Sequence, residues 1–254
     1  QYCLVFNTVW YMRKSIDVLA EDPTYVMIQG RKPESVKSHA LELDAGDGES
    51  AMAGLDLSAT VSEIFSDQAD AYKTIEIKAH NKVLDMVTQS YLSQVENYAL
   101  DITLSENTTA GQELNHMFTK GAMVLLSSLT TLKQYLGEVC MTHLLGDVAA
   151  TLASRIMTDV IGNLSSLDEA SATQLHFDIV NGLLEPFAPF VDKSSQLFPK
   201  VLDLCTLVTL DTAQWSRLHG LFTMGDELIK DQREELLKMG VLHLNVEDVR
   251  AALE

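Results

Sequence analysis

Residues 57–102 read LSATVSEIFSDQADAYKTIEIKAHNKVLDMVTQSYLSQVENYALDI, and this stretch decides the fold class. Its apolar residues recur in steps of three, four and sums of these, the spacing of one face of an α-helix. They are Leu57, Val61, Phe65, Tyr72, Ile75, Ala79, Val83, Met86, Tyr91, Val95, Tyr98 and Ile102. An unbroken helix here would be about 70 Å long, beyond the usual length in a globular domain. The pattern predicts a rod of helices.

Residues that break helices are scarce after this stretch begins. No proline occurs between Pro33 and Pro186, and the intervening sequence is rich in good helix formers. Polar residues at 105–111 and Gly137 predict two breaks between helices.

A third break is predicted within 160–176, VIGNLSSLDEASATQLH. Gly162 and Asn163 tolerate left-handed backbone and can end a helix. Residues 166–169, SLDE, have the form of a capping box that starts the next helix. The segment therefore predicts a helical hairpin, whose second helix runs to about Leu184 and is closed by Pro186.

The last fifty residues continue the helical pattern. A short helix is predicted near 201–210, and a terminal helix is predicted after an N-cap at Asn245. Between them one apolar face is formed by Trp215, Leu218, Phe222, Gly225, Ile229, Gln232, Leu236 and Met239. There is no alternating strand pattern and no repeat of fixed period. We therefore predict an all-α fold, an elongated rod of stacked antiparallel helical bundles.

The domain organisation follows from the break near residue 105. We expect a helical bundle segment over 1–105, with an acidic mobile loop near 44–54, and a C-terminal bundle over 106–254. The chain starts and stops inside apolar patterns, so we expect a C-terminal fragment of a longer protein.

The net charge limits the classes of partner, and the cysteines indicate the compartment. Eighteen basic residues against 36 acidic ones give a formal charge of −18, which repels phosphate backbones and anionic lipid headgroups. We expect no direct nucleic-acid binding and membrane association only through partner proteins. Cys3, Cys140 and Cys205 are far apart among apolar neighbours, which favours buried thiols in a reducing, cytoplasmic compartment.

Candidate chemical sites are sparse. Glu113 and His116 have the spacing used in di-iron bundles, but the second motif that such a site needs is missing. His143 and Asp147 would share a helix face without a third ligand. Nucleotide-binding, nucleophile-elbow and Cys-x-x-Cys motifs are also missing. We predict no catalytic residue, no metal and no cofactor, and keep an all-α enzyme with a dispersed site as a less favoured alternative.

One face could bind a partner. It consists of Trp215, Leu218, Phe222, Ile229 and Leu236. Its residues are either core or an anchor for a partner helix, because clustered aromatic side chains often form binding hot spots. We keep both interpretations.

The order of several motifs in the second half resembles the C-terminal region of the Zeste-White 10 family. The motifs are LTTLK at 129–133, AATL at 149–152, IMTDVIGNL at 156–164, LDEAS at 167–171, FAP at 187–189, WSRL at 215–218 and NVEDVRAAL at 245–253. The resemblance covers 121–254 and, faintly, residues 1–20. It implies a rod of stacked helical bundles in a multisubunit tethering complex.

The resemblance also implies partners and locations. One role is in the kinetochore complex with Rod and Zwilch, which recruits dynein and checkpoint proteins. The other is in an endoplasmic-reticulum tether for Golgi-derived vesicles, where this region would dock a large α-solenoid subunit. We therefore expect a cytoplasmic scaffold with kinetochore and endoplasmic-reticulum pools. The alternative is a subunit of another tethering complex, exocyst-like or at the Golgi.

Overall fold

The computed structural model describes most of the chain as α-helix joined by turns. The described residues are 1–21, 57–98, 101–102, 111–160, 168–223 and 229–253. Within these ranges there is no strand. The all-α prediction is confirmed.

The described ranges contain nine α-helices in chain order. They are α1 (Tyr2–Glu21), α2 (Leu57–Val95), α3 (His116–Tyr135), α4 (Glu138–Arg155), α5 (Glu169–Asp178), α6 (Pro199–Val208), α7 (Thr212–Thr223), α8 (Ile229–Lys238) and α9 (Val246–Leu253). Two π-helical segments, Ile156–Val160 and Ile179–Leu184, extend α4 and α5, and two short 3₁₀ segments, Glu185–Phe187 and Ser194–Leu197, lead to α6.

The chain divides into two compact units, residues 1–83 and 84–254, with the division inside α2. The sequence-based boundary near residue 105 and the rod of stacked bundles stay predictions. The acidic loop predicted near 44–54 lies outside the described residues.

The first unit packs α1 against the part of α2 that precedes residue 84. Phe6 is buried, and its ring meets the His80 ring edge-on at a centroid distance of 5.1 Å. About two turns further along α1, Arg13 Nε donates to Glu76 Oε2 at 2.6 Å. An apolar contact and a half-buried ion pair thus fix the two helices side by side.

The second unit is organised around three buried rings. Tyr91 of α2 and Tyr98, which follows α2, both meet Phe118 of α3 edge-on, at centroid distances of 6.4 and 4.6 Å. All three residues are fully buried. Gly182 lies against Phe118 so closely that a Cβ there would be 2.5 Å from the ring atom Cδ1. The second unit therefore needs a glycine where the π-helical segment crosses α3.

The α2 helix ends before the last positions of its apolar pattern. The α-helix stops at Val95, and a turn follows at residues 96–97 before Tyr98. The apolar face from Leu57 to Ile102 is therefore not carried by one unbroken α-helix. Tyr98 and Ile102 are still buried, as the pattern required. The turn directly precedes Tyr98, whose ring packs on Phe118. Apolar spacing along one helix does not predict a tertiary contact of this kind.

Two of the predicted helix ends are confirmed, and the helix stop predicted at Gly162 and Asn163 lies outside the described residues. The break at Gly137 is confirmed, because α3 ends at Tyr135 and Gly137 is the N-cap of α4. Asn245 caps α9 by accepting from the Asp248 amide at 2.6 Å. Of the capping box at 166–169, Ser166 lies outside the described residues, and the N-cap of α5 is Asp168, which accepts from the Ser171 amide at 2.8 Å.

The apolar face read from Trp215 to Met239 spans two helices. The α7 helix ends at Thr223 and α8 begins at Ile229. Arg217 pairs with Glu235, and Gln232 Nε2 donates to the Leu221 carbonyl at 3.0 Å. The later residue of α7, Leu221, thus meets the earlier residue of α8, Gln232. The two helices are therefore antiparallel. The face predicted for one helix is therefore divided between two antiparallel helices.

Candidate functional site

Neither pair with ligand-like spacing belongs to a metal site in the described residues. No group of three or more His, Cys, Asp or Glu side chains is placed to hold a metal ion there. Glu113 and His116 are exposed at the start of α3, where His116 Nδ1 lies 4.0 Å from Asp101 Oδ2. His143 and Asp147 are both exposed on α4.

A buried polar cluster of the second unit is centred on the Asp178 carboxylate at the end of α5. It is fully buried and accepts three hydrogen bonds. Tyr98 Oη donates to Oδ2 at 2.8 Å, while the Asn115 amide and Gln174 Nε2 donate to Oδ1 at 2.8 and 2.9 Å. Asn115 is the N-cap of α3. One carboxylate therefore joins the chain after α2, the start of α3 and the end of α5.

Burial dominates the electrostatics of this cluster. Removal from water raises the pKa of Asp178, although its three donors act in the opposite direction. Burial and the neighbouring Asp178 charge raise the pKa of both Tyr91 and Tyr98. Gln174 completes the cluster by accepting from the Gly111 amide at 2.9 Å and donating to the Glu113 carbonyl at 2.9 Å. The arrangement is an anchor for three chain segments.

A second buried carboxylate holds the segment before α9. Asp203 of α6 accepts from the backbone amides of His243 and Leu244, the latter at 2.9 Å. From the other side, the Arg233 guanidinium of α8 donates to the carbonyls of Leu244 at 2.6 Å and Leu242 at 2.5 Å. The segment is thus gripped through both its amides and its carbonyls, which fixes where α9 begins.

The five residues predicted to bind a partner are placed unevenly. Leu218 and Leu236 are fully buried, Phe222 is nearly so, and Trp215 is half-buried. The side chain of Ile229 lies outside the described part. Trp215 is therefore the member of this set with a described side chain that reaches the surface.

The two buried carboxylates that join helices were not among the residues predicted from the sequence. Asp178 and Asp203 are each an acid among mostly apolar neighbours in a helical segment, HFDIV and VLDLC. An acid at a position that periodicity assigns to the core is the signal that could have revealed them, because buried carboxylates need partners.

None of the described helices combines the length and low polarity needed to cross a bilayer.

Comparison with known proteins gives one family. The model of the RINT-1/TIP-1 family matches residues 1–254. The chain belongs to the RINT-1/TIP-1 family. No curated protein and no solved structure matched it.

The RINT-1/TIP-1 family is a tethering family associated with vesicle tethering at the endoplasmic reticulum. The match therefore confirms the broad class predicted from the sequence, a tethering-family protein. It does not support the narrower assignment to the Zeste-White 10 family. The motifs quoted for that resemblance are helix-packing and helix-end patterns, which related bundle architectures can share. A RINT-1/TIP-1 protein carries them here.

Proposed function

We propose that this RINT-1/TIP-1 chain is a non-catalytic scaffold subunit of a complex that tethers Golgi-derived vesicles at the endoplasmic reticulum. It docks a large α-solenoid subunit of that tether, works in the cytoplasm and reaches the membrane only through its partners. The family match over residues 1–254 carries this proposal.

The contacts of the buried carboxylates in the described residues support a scaffold role. Asp178 joins three segments, Asp203 holds the chain before α9, and Glu235 pairs with Arg217 at 2.8 Å between α7 and α8. Each buried carboxylate is engaged in joining helices. An active site would instead leave such a group aimed into a cleft that a substrate could enter.

The α7–α8 hairpin is the proposed docking surface. Leu218 and Leu236 form its inner seam, so they support the surface from within. Trp215 is half-buried at the first turns of α7, where a partner could cover its remaining area. A partly exposed tryptophan among packed apolar side chains is a typical binding hot spot.

Affinity purification of the 254-residue chain tests the proposed function. The chain is immobilised and exposed to interphase and mitotic extracts, and bound proteins are quantified by mass spectrometry. We expect the solenoid subunit of the endoplasmic-reticulum tether from interphase extract. Recovery of Rod and Zwilch from mitotic extract would instead support the kinetochore role. Recovery of neither by a folded chain would contradict the scaffold proposal.

Point variants locate the surface. Trp215→Ala is expected to weaken partner recovery by about tenfold or more while leaving the far-ultraviolet circular dichroism unchanged. The matched control is Tyr135→Ala, which truncates a 63% exposed aromatic residue at the end of α3. Equal recovery by the two variants would remove α7 from the docking surface. Leu236→Ala should lower the melting temperature instead, because Leu236 is core.

A further inference from the structure

Polar contacts fix α8 to α7. Gln232 Nε2 donates to the Leu221 carbonyl at 3.0 Å. Arg217 Nε and Nη2 lie 2.8 and 3.1 Å from the two carboxylate oxygens of Glu235. Gln232 and Glu235 are both buried, so these bonds form away from water, where hydrogen bonds to a charged group are strong. They set how α8 lies on the helix that carries Trp215.

A different side of α8 meets the segment before α9, which consists of residues 241–245. Arg233 donates to the carbonyls of Leu244 at 2.6 Å and Leu242 at 2.5 Å. At about 100° per residue, Arg233 lies roughly 160° around the helix from Glu235. The α8 helix therefore lies between α7 on one side and the segment before α9 on the other.

The α8 helix is too short and too polar to keep its place without these contacts. It has 10 residues, Ile229–Lys238, fewer than the roughly 12–15 at which an isolated helix becomes stable. Within the part of α8 whose side chains the structure describes, Leu236 is the single buried apolar residue. Apolar burial thus contributes little to its position, because the contribution scales with buried apolar area. The polar contacts on its two sides decide where α8 lies.

The segment before α9 is itself anchored to another helix. Val241 and Leu244 are buried, and the buried Asp203 carboxylate of α6 accepts from the His243 and Leu244 amides. When Arg233 binds the carbonyls of this segment, it joins α8 to a part of the chain that α6 already holds. The contacts run without interruption from α6 through the segment to α8 and α7.

We propose that Arg233 is a positioning residue for the docking surface. By binding the segment before α9 it fixes α8, and through α8 it fixes α7 and the exposed part of Trp215. The proposal rests on the proposed function, which places the docking surface on α7 and α8. The segment before α9 and the docking surface are then coupled, and a coupling free energy acts in both directions.

Two measurements on the 254-residue chain test the coupling in the absence of any partner. Acrylamide quenching of Trp215 fluorescence reports how far the indole is exposed to solvent. A Trp10→Phe background leaves Trp215 as the single tryptophan of the chain. Hydrogen exchange at the Leu244 amide, relative to the amide of Leu125 in the core of α3, reports local opening of the segment before α9.

Arg233→Ala and Arg217→Ala test the two directions of the coupling. We expect Arg233→Ala to increase the quenching of Trp215, because α8 loses its support and α7 loosens with it. We expect Arg217→Ala to raise the exchange rate of Leu244 relative to Leu125 by about fivefold or more. A change that affects the whole protein equally would leave this ratio unchanged.

Two further variants make the comparison decisive. Lys230→Ala is the matched control, because Lys230 is an exposed cation of the same helix, and it should change neither measurement. Arg233→Lys keeps the charge and the aliphatic stem but not the planar fork that binds two carbonyls. It should also increase the quenching of Trp215, and it decides the result if circular dichroism shows that Arg233→Ala does not fold.

Three results would overturn the proposal. They are unchanged Trp215 quenching in the folded Arg233 variants, an unchanged ratio of Leu244 to Leu125 exchange in Arg217→Ala, and changes of equal size in Lys230→Ala. None of the measurements uses a partner protein. Failure of this coupling is therefore distinct from failure of the proposed function, which the affinity purification decides.

Discussion

The phenol of Tyr98 donates a 2.8 Å hydrogen bond to the buried carboxylate of Asp178, across eighty residues of sequence. The same Tyr98 ring packs edge-on against Phe118. One side chain thus connects the chain after α2 to both α3 and α5. Because both ends of the contact are buried, its loss is not repaired by water.

Tyr98→Phe should destabilise the second unit by about 1–3 kcal/mol, since it removes a donor from a buried carboxylate and keeps the ring. The measurement is urea unfolding followed by circular dichroism. Tyr135→Phe is the control, because Tyr135 is largely exposed. Equal midpoints for the two variants would show that the Tyr98 hydroxyl contributes nothing to stability.

Asp178→Asn should change how stability depends on pH. Burial raises the folded-state pKa of Asp178 above its ordinary value of 3.8, so the folded protein holds this proton to higher pH than the unfolded chain does. Stability from this group is therefore greatest below the unfolded pKa and falls as pH rises through the folded pKa. Asparagine cannot ionise, and its amide can still donate to the Tyr98 oxygen.

The measured quantity is the free energy of unfolding of Asp178→Asn minus that of the wild type. We expect this difference to increase as pH rises from below 3.8 through the folded pKa. Asp85→Asn, at an exposed position of α2, is the control for the substitution itself. A flat difference for Asp178→Asn would refute the raised pKa.

Gly182→Ala should destabilise the protein by about 1–3 kcal/mol through overpacking. The new Cβ would lie 2.5 Å from Phe118 Cδ1 and 2.8 Å from Phe118 Cβ. Gly146→Ala is the matched control in α4, where a Cβ meets nothing within 4 Å. Alanine there should instead stabilise the helix by about 0.5–1 kcal/mol. Thermal melts that shift in the same direction for both would contradict the packing at Gly182.

Asp203→Ala should release the segment before α9. The half-buried His243 amide and the buried Leu244 amide lose their acceptor, at a cost of about 1–3 kcal/mol. Hydrogen exchange measures the effect directly, and these two amides should exchange faster than in the wild type. Asp85→Ala supplies the control. Unchanged exchange at Leu244 would mean that Arg233 alone holds the segment.

Local patterns in the sequence were sufficient for the helices and several of their ends. The apolar spacing from Leu57 predicted a long helix, Gly137 a break, and Asn245 a cap, and all three are found. These features depend on residues within one or two turns of each other.

Tertiary structure alone decided how the patterns combine. The apolar spacing from Trp215 to Met239 fits one long helix and two antiparallel helices equally well. The structure has two, and Arg217 of one pairs with Glu235 of the other. The roles of Asp178 and Asp203 were likewise invisible, because their donors lie far away in the sequence. Helix periodicity reports only which side of a segment is apolar. Which surfaces meet, and which buried charges find donors, depends on contacts between distant segments that no local pattern encodes.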